Sequence, residues 1–258
     1  MTKRLQKAKI ENLEVLRFAS RQAMGEAAGE AVAGWLRTRL AFQSLVRMIF
    51  AAAPSQSEFL ATLTQAEGID WSRVTVFHMD EYLGLRAEAP QRFSRFLCDA
   101  LFDRVKPGQV HLIEGQGDTR QVCRHYAQLL AEAPIDAVCL GIGENGHLAF
   151  NDPPVADFND PVIIKPVELD EICRQQQVND GCFARLEDVP THALTLTIPA
   201  LMQAARLFCI VPGATKRQAV TSTLYDPISV ACPATILRQH PDCTLYTDAD
   251  ACAEVTVD

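Results

Sequence analysis

Two pairs of side chains in this sequence have the types and spacing that proton transfer near neutral pH requires. Asp80 and Glu81 closely follow the apolar run 74–78. A partly desolvated carboxylate at the end of a buried strand can have a raised pKa and act as a base. His147 follows a glycine-containing turn and precedes Asp152, a carboxylate that could fix the tautomer of its ring and keep it basic. The residues alone leave structural roles open, because the acidic pair could cap a helix and the histidine could be a hydrogen-bonded structural residue.

The glycines of this turn, Gly141, Gly143 and Gly146, have the spacing of a dinucleotide-binding loop. Pro153 and Pro154 would curtail the helix that such a loop must open. The glycines are better explained by a close approach of the backbone to a different ligand. We therefore predict no dinucleotide cofactor, and without a His-x-x-x-His or similar ligand pair we predict no metal site.

Two predicted helix starts have features of an anion-binding site. Ser55 and Glu58 fit a capping box, and Thr215 could cap a helix that begins at Lys216. Free amides at a helix start attract phosphate, and a lysine in the first turn adds positive charge. Ordinary capping explains either start alone, but two starts at the same edge of a sheet indicate an anion site.

Short apolar runs alternate with helical patterns along the chain, which indicates βαβ units. We predict an α/β fold with a doubly wound, mostly parallel sheet and helices on both faces, of the Rossmann-like type. The predicted strands are 45–50, 74–78, 135–140, 193–197 and 207–211, and the predicted helices are 23–40, 57–65, 94–102, 120–131 and 216–224. Ligands of such folds bind beyond the carboxyl ends of the strands. The polar clusters 51–58, 79–82, 141–147 and 212–216 all follow predicted strands, so we expect them to line one pocket.

Composition narrows the class of protein. The chain has 258 residues, of which 48% are hydrophobic, as expected for a single domain over 1–258, and the basic start suggests a flexible extension over residues 1–20. We find no apolar run long enough for a membrane span and no signal peptide, and the net charge of −8 argues against nucleic-acid binding. Nine cysteines without a Cys-x-x-Cys pair are typical of buried thiols in a reducing compartment, so we predict a cytoplasmic location. The weakly periodic stretch 153–188 is predicted to be a lid, an irregular insertion or an ordinary surface excursion.

Two longer motifs match a known family. The segment from Phe77 to Leu85, FHMDEYLGL, resembles the MDEYxGL motif of glucosamine-6-phosphate deaminases. The segment from Gly141 to Pro153, GIGENGHLAFNDP, resembles their GxGxDGHIAFNEP motif, and the similarity extends over about residues 23–246. The resemblance implies a sugar-phosphate isomerase type of fold. It also implies a hydrolase or isomerase that converts glucosamine 6-phosphate to fructose 6-phosphate and ammonia, without metal or organic cofactor.

Roles carry over to this chain by the same resemblance. Asp80 would move a proton between C1 and C2 of the open-chain sugar through an enediol-like enolamine, and His147 would assist ring opening. Asp152 would orient His147, and Asn145 occupies a position where the family has Asp or Asn. The substrate and its 6-phosphate would be bound by a further set: Ala53, Ser55, Gln56, Ser57, Glu81, Gly143, Gly146 and Lys216. The chain departs from the family in its phosphate loop, where 52–56 read AAPSQ instead of TGxTP, and it lacks the family's phosphate-binding arginine, for which Arg174 or Arg185 could substitute.

Two other functions stay open at this point. A 6-phosphogluconolactonase would share the fold and use His147 to activate water, but enolisation needs a base at Asp80 and lactone hydrolysis does not obviously need one. A non-catalytic sugar-phosphate-binding protein would have no need of these acid–base groups. The predicted partner is a phosphorylated amino sugar, and assembly into a homo-oligomer is possible.

Overall fold

A computed structural model describes residues 4–256, which form two β-sheets and the helices that cover them. The strands are β1 (Arg4–Ile10), β2 (Leu13–Phe18), β3 (Val46–Phe50), β4 (Val74–His78), β5 (Asp80–Tyr82), β6 (Gln109–His111), β7 (Ala137–Leu140), β8 (Ile164–Glu168), β9 (His192–Leu196), β10 (Arg206–Val211) and β11 (Cys243–Asp248). The helices are α1 (Arg21–Phe42), α2 (Ser57–Gln65), α3 (Phe93–Leu97), α4 (Asp103–Val105), α5 (Thr119–Ala131), α6 (Glu171–Asn179), α7 (Ile198–Met202) and α8 (Arg217–Tyr225). A π-helical turn, Cys98–Phe102, joins α3 to α4.

The large sheet has eight strands in the order β1-β2-β11-β10-β7-β3-β4-β6. The pair β1–β2 is antiparallel, and all other neighbouring strands of this sheet are parallel. The chain builds outward from β3 through β4 to β6 and then returns to place β7 on the other side of β3. The order of strands therefore reverses between β3 and β7, which is where folds of this type bind ligands.

Apolar side chains cover both faces of the large sheet. Along β3, Met48 and Phe50 belong to one buried cluster and Ile49 to the other, as the alternation of side chains along a strand requires. The first cluster includes residues of α1 and α2, such as Leu36, and the second includes residues of α5, such as Leu130. The predicted doubly wound, mostly parallel sheet with helices on both faces is confirmed.

Each predicted helix and strand corresponds to an observed one, but the pairing of one strand differs from the prediction. Predicted helices 23–40, 57–65, 120–131 and 216–224 are α1, α2, α5 and α8, and 94–102 is α3 with the π-helical turn. The predicted strands are β3, β4, β7, β9 and β10. However, β9 does not join the parallel sheet: it lies between β5 and β8 in a separate antiparallel sheet. A short apolar run does not encode its pairing partner, so the sequence pattern could not separate the two cases.

The flexible extension predicted for residues 1–20 is wrong for residues 4–18, whereas residues 1–3 lie outside the described part of the chain. Residues 4–18 form the β1–β2 hairpin, and β2 pairs with β11. Leu13, Val15 and Phe18 on β2 are almost fully buried. Burial of these three side chains fixes the hairpin against the sheet, although its first strand is basic and faces solvent. The prediction of one domain over 1–258 stays a prediction.

The stretch 153–188 is not an irregular insertion, because it contains β8 and α6. The helix α6 begins at its N-cap Asp170, whose side chain accepts a hydrogen bond from the backbone N–H of Ile172. Whether this stretch moves as a lid stays a prediction. Among residues 4–256, no helix combines the length and the apolar character that crossing a bilayer demands.

Candidate active site

A cleft of about 490 Å3 opens at the carboxyl ends of β3, β4, β7 and β10. Its position at the reversal of strand order agrees with the location predicted from the polar clusters. Phe93 and Phe150, whose rings stack with centroids 5.5 Å apart, form part of an apolar wall. The predicted site residues that line the cleft are Ala53, Ser55, Gln56, Asp80, Gly143, His147 and Lys216.

The turn after β7 holds His147 in the cleft with one ring nitrogen engaged by the protein. Its Nδ1 lies 2.9 Å from Oδ1 of Asp152 and 2.8 Å from Oδ1 of Asn145. Both partners are acceptors, because the Asn145 amide nitrogen donates to Asp152 at 3.0 Å. Nδ1 therefore carries the proton, and Nε2 remains the acceptor available to a ligand. Gly143 leaves the space for this ring, since an added Cβ would overlap it.

Asp152 is buried behind His147 and does not line the cleft. Burial alone would raise the pKa of Asp152, but hydrogen bonds from His147 and Asn145, with the charge of His147, lower it below the usual value. The carboxylate is therefore ionised at neutral pH and stabilises the ring in one orientation. The predicted pairing of His147 with Asp152 is present in the structure, and Asn145 joins it as a third member.

Asp80 is the first residue of β5 and faces the same cleft as His147. Its side chain is 6% exposed, and within residues 4–256 its carboxylate has no hydrogen bond or ion pair. Burial, and secondly the negative charge of Glu81, raise the pKa of Asp80 well above its usual value. A carboxylate with a raised pKa and a free face is suited to accept a proton from a bound ligand.

Glu81, predicted to contact substrate, instead performs a structural role. It is fully buried, and its carboxylate accepts hydrogen bonds at 3.0 Å from the backbone N–H groups of Tyr82, Phe93 and Ser94. Arg92 lies 3.6 Å from the same carboxylate. Side chains alternate along a strand, so Asp80 and Glu81 point in opposite directions, and Glu81 joins β5 to the start of α3.

Gly146 and Ser57 also lie outside the walls of the cleft. Gly146 has a positive φ of 84° and packs against Cys232, where an added Cβ would be 2.5 Å from the sulfur. It therefore allows the turn but does not line the cleft. Ser57 is exposed on the first turn of α2.

The two predicted helix caps are wrong. The N-cap of α2 is Gln56 and that of α8 is Lys216, each without a side-chain capping bond. A 3-10 turn precedes each helix, Pro54–Gln56 and Ala214–Lys216, and contains the serine or threonine, so each N-cap lies one residue later than predicted. Glu58 forms an ion pair with Arg21 at 2.7 Å instead of closing a capping box.

Lys216 is the cation of the cleft. Its side chain is 4% exposed, yet across residues 4–256 its ammonium forms no hydrogen bond and no ion pair. Burial lowers the pKa of Lys216, whereas the carboxylates of Asp180 and Glu144 act in the opposite direction. A buried, unpaired ammonium is costly unless a ligand neutralises it, so this end of the cleft is suited to an anion.

Sequence analysis missed two glutamines, Gln176 and Gln177, which α6 brings into the cleft. The sole sequence signal was a run of three glutamines, 175–177, in the polar stretch 153–188, and this run indicated no site. The arginines considered for phosphate binding do not line the cleft. Arg174 donates to the carbonyl groups of Leu186 and Val189, and Arg185 is exposed and pairs with Asp188.

In the described part of the chain, one group of side chains could hold a metal ion: His147, Asp152 and Cys173, whose donor atoms lie within 4.8 Å of one another. Nδ1 of His147 and Oδ1 of Asp152 already bond each other, so an ion would have to separate them. The same two atoms orient the imidazole for acid–base work. The geometry therefore favours proton transfer over metal binding.

Comparison with known proteins gives a consistent set of similarities. Residues 19–160 match the family model of glucosamine-6-phosphate isomerases/6-phosphogluconolactonase. Glucosamine-6-phosphate deaminases of Bacillus thuringiensis (strain Al Hakam) and Bacillus cereus (strain AH820) are each 40% identical over 194 residues, which is 74% of this chain and 72% of theirs.

Solved structures extend the similarity to most of the chain. A monomeric glucosamine-6-phosphate deaminase superposes with a TM-score of 0.84 at 27% identity and covers 92% of this chain and 98% of its own. The 6-phosphogluconolactonase of Thermotoga maritima superposes with a TM-score of 0.74 at 18% identity, over 91% of this chain and 98% of its own. The latter similarity shows the shared fold.

Proposed function

Because the chain belongs to the family of glucosamine-6-phosphate isomerases and 6-phosphogluconolactonases, we propose that it is a glucosamine-6-phosphate deaminase. This enzyme converts glucosamine 6-phosphate to fructose 6-phosphate and ammonia. The relatives that are 40% identical have this name, whereas the lactonases among the solved structures are similar at 18% identity or less. The relatives' names do not support the expected description as a hydrolase.

One observation carries the proposal: a buried carboxylate, Asp80, which has no partner among residues 4–256, and an oriented imidazole, His147, line the same cleft. Aldose–ketose isomerisation requires a base that takes a proton from C2 of the open-chain sugar and returns it to C1. The raised pKa of Asp80 brings its basicity closer to the working pH. Asp80 removes the C2 proton while O1 takes up a proton, which gives an enolamine. Asp80 then returns its proton to C1 as the nitrogen loses one, which gives the ketose imine. Water then adds to the imine carbon, and ammonia leaves.

His147 serves the step before isomerisation, which is ring opening. In the neutral imidazole Nδ1 donates to Asp152 and Asn145, which leaves Nε2 without a proton. Nε2 can accept the proton of the anomeric hydroxyl and deliver it to the ring oxygen, so the step needs no net proton. Asp152 and Asn145 act through His147 and are positioning residues.

Lys216 neutralises part of the phosphate charge, and Ser55 lines the same cleft. Its ammonium forms no ion pair with residues 4–256, which supports this role because a bound phosphate provides the counter-ion. The loop 51–56 contributes backbone amides and the Ser55 hydroxyl in place of the family's glycine-containing sequence.

The alternative of 6-phosphogluconolactonase has less support in the site. Lactone hydrolysis needs an activated water and does not require a base that moves a proton between adjacent carbons. The free, buried carboxylate of Asp80 would then lie unpaired without a function, at a cost in stability. A cytoplasmic location and a homo-oligomer stay predictions, and the solved deaminase with the similar fold is described as monomeric.

The deciding experiment compares substrates. The purified chain is expected to release ammonia from glucosamine 6-phosphate without added metal, and D80N is expected to lose at least about a thousandfold in kcat. Galactosamine 6-phosphate, N-acetylglucosamine 6-phosphate and 6-phosphogluconolactone are tested beside it. A folded protein that hydrolyses the lactone and deaminates none of the amino sugars would overturn the assignment.

A further inference from the structure

We propose that Gln177 binds the phosphate group of the substrate, and that Tyr82 holds the Gln177 amide in the orientation needed for this contact. The naming of the substrate rests on the proposed function. The contact is a property of the chain's own residues, and inorganic phosphate can test it without turnover.

The path of α6 places Gln177 toward the Lys216 end of the cleft. The helix starts next to the His147 centre, where the Asp170 backbone N–H lies 3.4 Å from a carboxylate oxygen of Asp152. At its other end Asp180 is close enough to act on the charge of Lys216. Gln177 lies near this second end, lines the cleft and is 6% exposed.

Tyr82 determines which end of the Gln177 amide faces the cleft. The Tyr82 hydroxyl donates to Oε1 of Gln177 at 2.8 Å, and both side chains are buried. Burial raises the pKa of Tyr82 well above its usual value, so the hydroxyl stays protonated and acts as a donor. In the described part of the chain Oε1 of Gln177 is the acceptor of this proton. Oε1 must therefore point to Tyr82, and Nε2 points away from it.

The amide nitrogen of Gln177 has two unused N–H groups, since it forms no hydrogen bond within residues 4–256. The neighbouring amides are more fully engaged. Nε2 of Gln56 donates to Ser55 and to the carbonyl of Ile210, each at 3.1 Å. Gln176 accepts from the Glu144 backbone N–H at 2.7 Å, and its Nε2 lies 3.4 Å from Asp180. The Gln177 amide therefore offers two free donors at the wall of the cleft, and phosphate oxygens are acceptors.

Charge explains why neutral donors suit this position. A phosphate monoester carries between one and two negative charges at neutral pH, whereas residues 4–256 supply the cleft with one ammonium, that of Lys216, with Asp180 and Glu144 nearby. Amide N–H groups stabilise the phosphate without requiring a further buried cation. A hydrogen bond to a charged group changes affinity by about 10- to 100-fold.

The test replaces Gln177 by methionine, which keeps the length of the side chain and removes both donors. Titration calorimetry measures the Kd of inorganic phosphate and of fructose 6-phosphate. We expect Q177M to raise both Kd values by about tenfold or more. The matched control is Q175M in the same helix, because Gln175 is exposed and donates to Asn179 at 3.1 Å. This control is expected to leave both Kd values within about twofold.

Y82F provides a second variant with a smaller structural change, since it removes the hydroxyl and keeps the buried ring. We expect it to weaken both ligands in the same direction, by less than Q177M, because the amide loses its fixed orientation. Unchanged phosphate affinity in Q177M would refute the proposal. So would weaker binding of fructose 6-phosphate alone, because that result assigns Gln177 to a sugar hydroxyl. The wild-type chain could fail to release ammonia while its phosphate affinity still depends on Gln177. That result would contradict the proposed function and still support this contact.

Discussion

Replacing the candidate base by its neutral isostere should stabilise the folded protein while abolishing activity. Asp80 is 6% exposed and has no hydrogen-bond or ion-pair partner within residues 4–256. As a base it must be ionised at the working pH, so the folded state bears the cost of a desolvated charge. That cost is several kcal/mol for an ion in a protein interior, whereas an unpaired buried amide costs about 1–3 kcal/mol. We expect D80N to gain about 1–3 kcal/mol at pH 8, and therefore about 2–10 °C in Tm for a chain of this size.

The pH dependence of this gain follows from the direction of the pKa shift. Burial, and then the charge of Glu81, raise the pKa of Asp80 in the folded state. Below the unfolded pKa of about 3.9 the carboxyl is protonated in both states, so the wild-type chain has no penalty there. The penalty grows as the pH rises from the unfolded pKa toward the raised folded-state pKa, and it is complete above the latter. The Tm difference between D80N and the wild type should therefore be small at acid pH and grow toward pH 8.

Thermal unfolding measured at several pH values between 4.5 and 8 tests this reasoning. The control is D250N, because Asp250 is exposed and its removal should change Tm by about 1 °C or less at any pH. A D80N protein that melts at or below the wild-type temperature at pH 8 would refute the description of Asp80 as a buried, unpaired charge. A gain in Tm that is as large at acid pH as at pH 8 would refute the ionised state assigned to Asp80.

Three further variants test other parts of the site. Gly143→Ala places a Cβ in the space of the His147 ring, so kcat/KM should fall at least about a hundredfold. Circular dichroism should still show a folded protein. Near-normal activity would contradict the placement of the ring. Glu81→Gln should lower Tm, since the carboxylate accepts hydrogen bonds from three backbone N–H groups. It should also move the acid limb of the kcat/KM pH profile to lower pH, because a charge that raises the pKa of Asp80 is lost. An acid limb that does not move argues against this coupling. Lys216→Met should raise KM about 10- to 100-fold in initial-rate measurements, without lowering the Tm measured by thermal unfolding. An unchanged KM would exclude Lys216 from phosphate binding.

The alternation of apolar and helical segments was enough to predict the doubly wound sheet and most of its elements. The strand 74–78 and the helix 57–65 were predicted with the bounds that the structure has. The location of the cleft followed as well, because the carboxyl ends of parallel strands meet at one edge. Asp80 and His147 each follow a buried strand closely, so their meeting in one cleft could be inferred from their positions in the chain.

Predictions based on local chemistry were less successful where the backbone takes an unusual path. Ser55 and Thr215 lie within 3-10 turns before α2 and α8, so they do not cap these helices. The side chain of Glu81 points away from the cleft because side chains alternate along a strand. The β1–β2 hairpin was missed because a basic, solvent-facing strand resembles a frayed end until its partner strand is known.

The amino-acid sequence by itself determined the fold class and the two acid–base groups, because the periods of strands and helices and the residues that follow them are local in the chain. Tertiary structure decided the rest of the cleft. The contact between Tyr82 and Gln177 joins residues 95 positions apart, and that between Glu144 and Gln176 joins residues 32 apart. No local pattern encodes such a distance, since it depends on how α6 packs over the edge of the sheet.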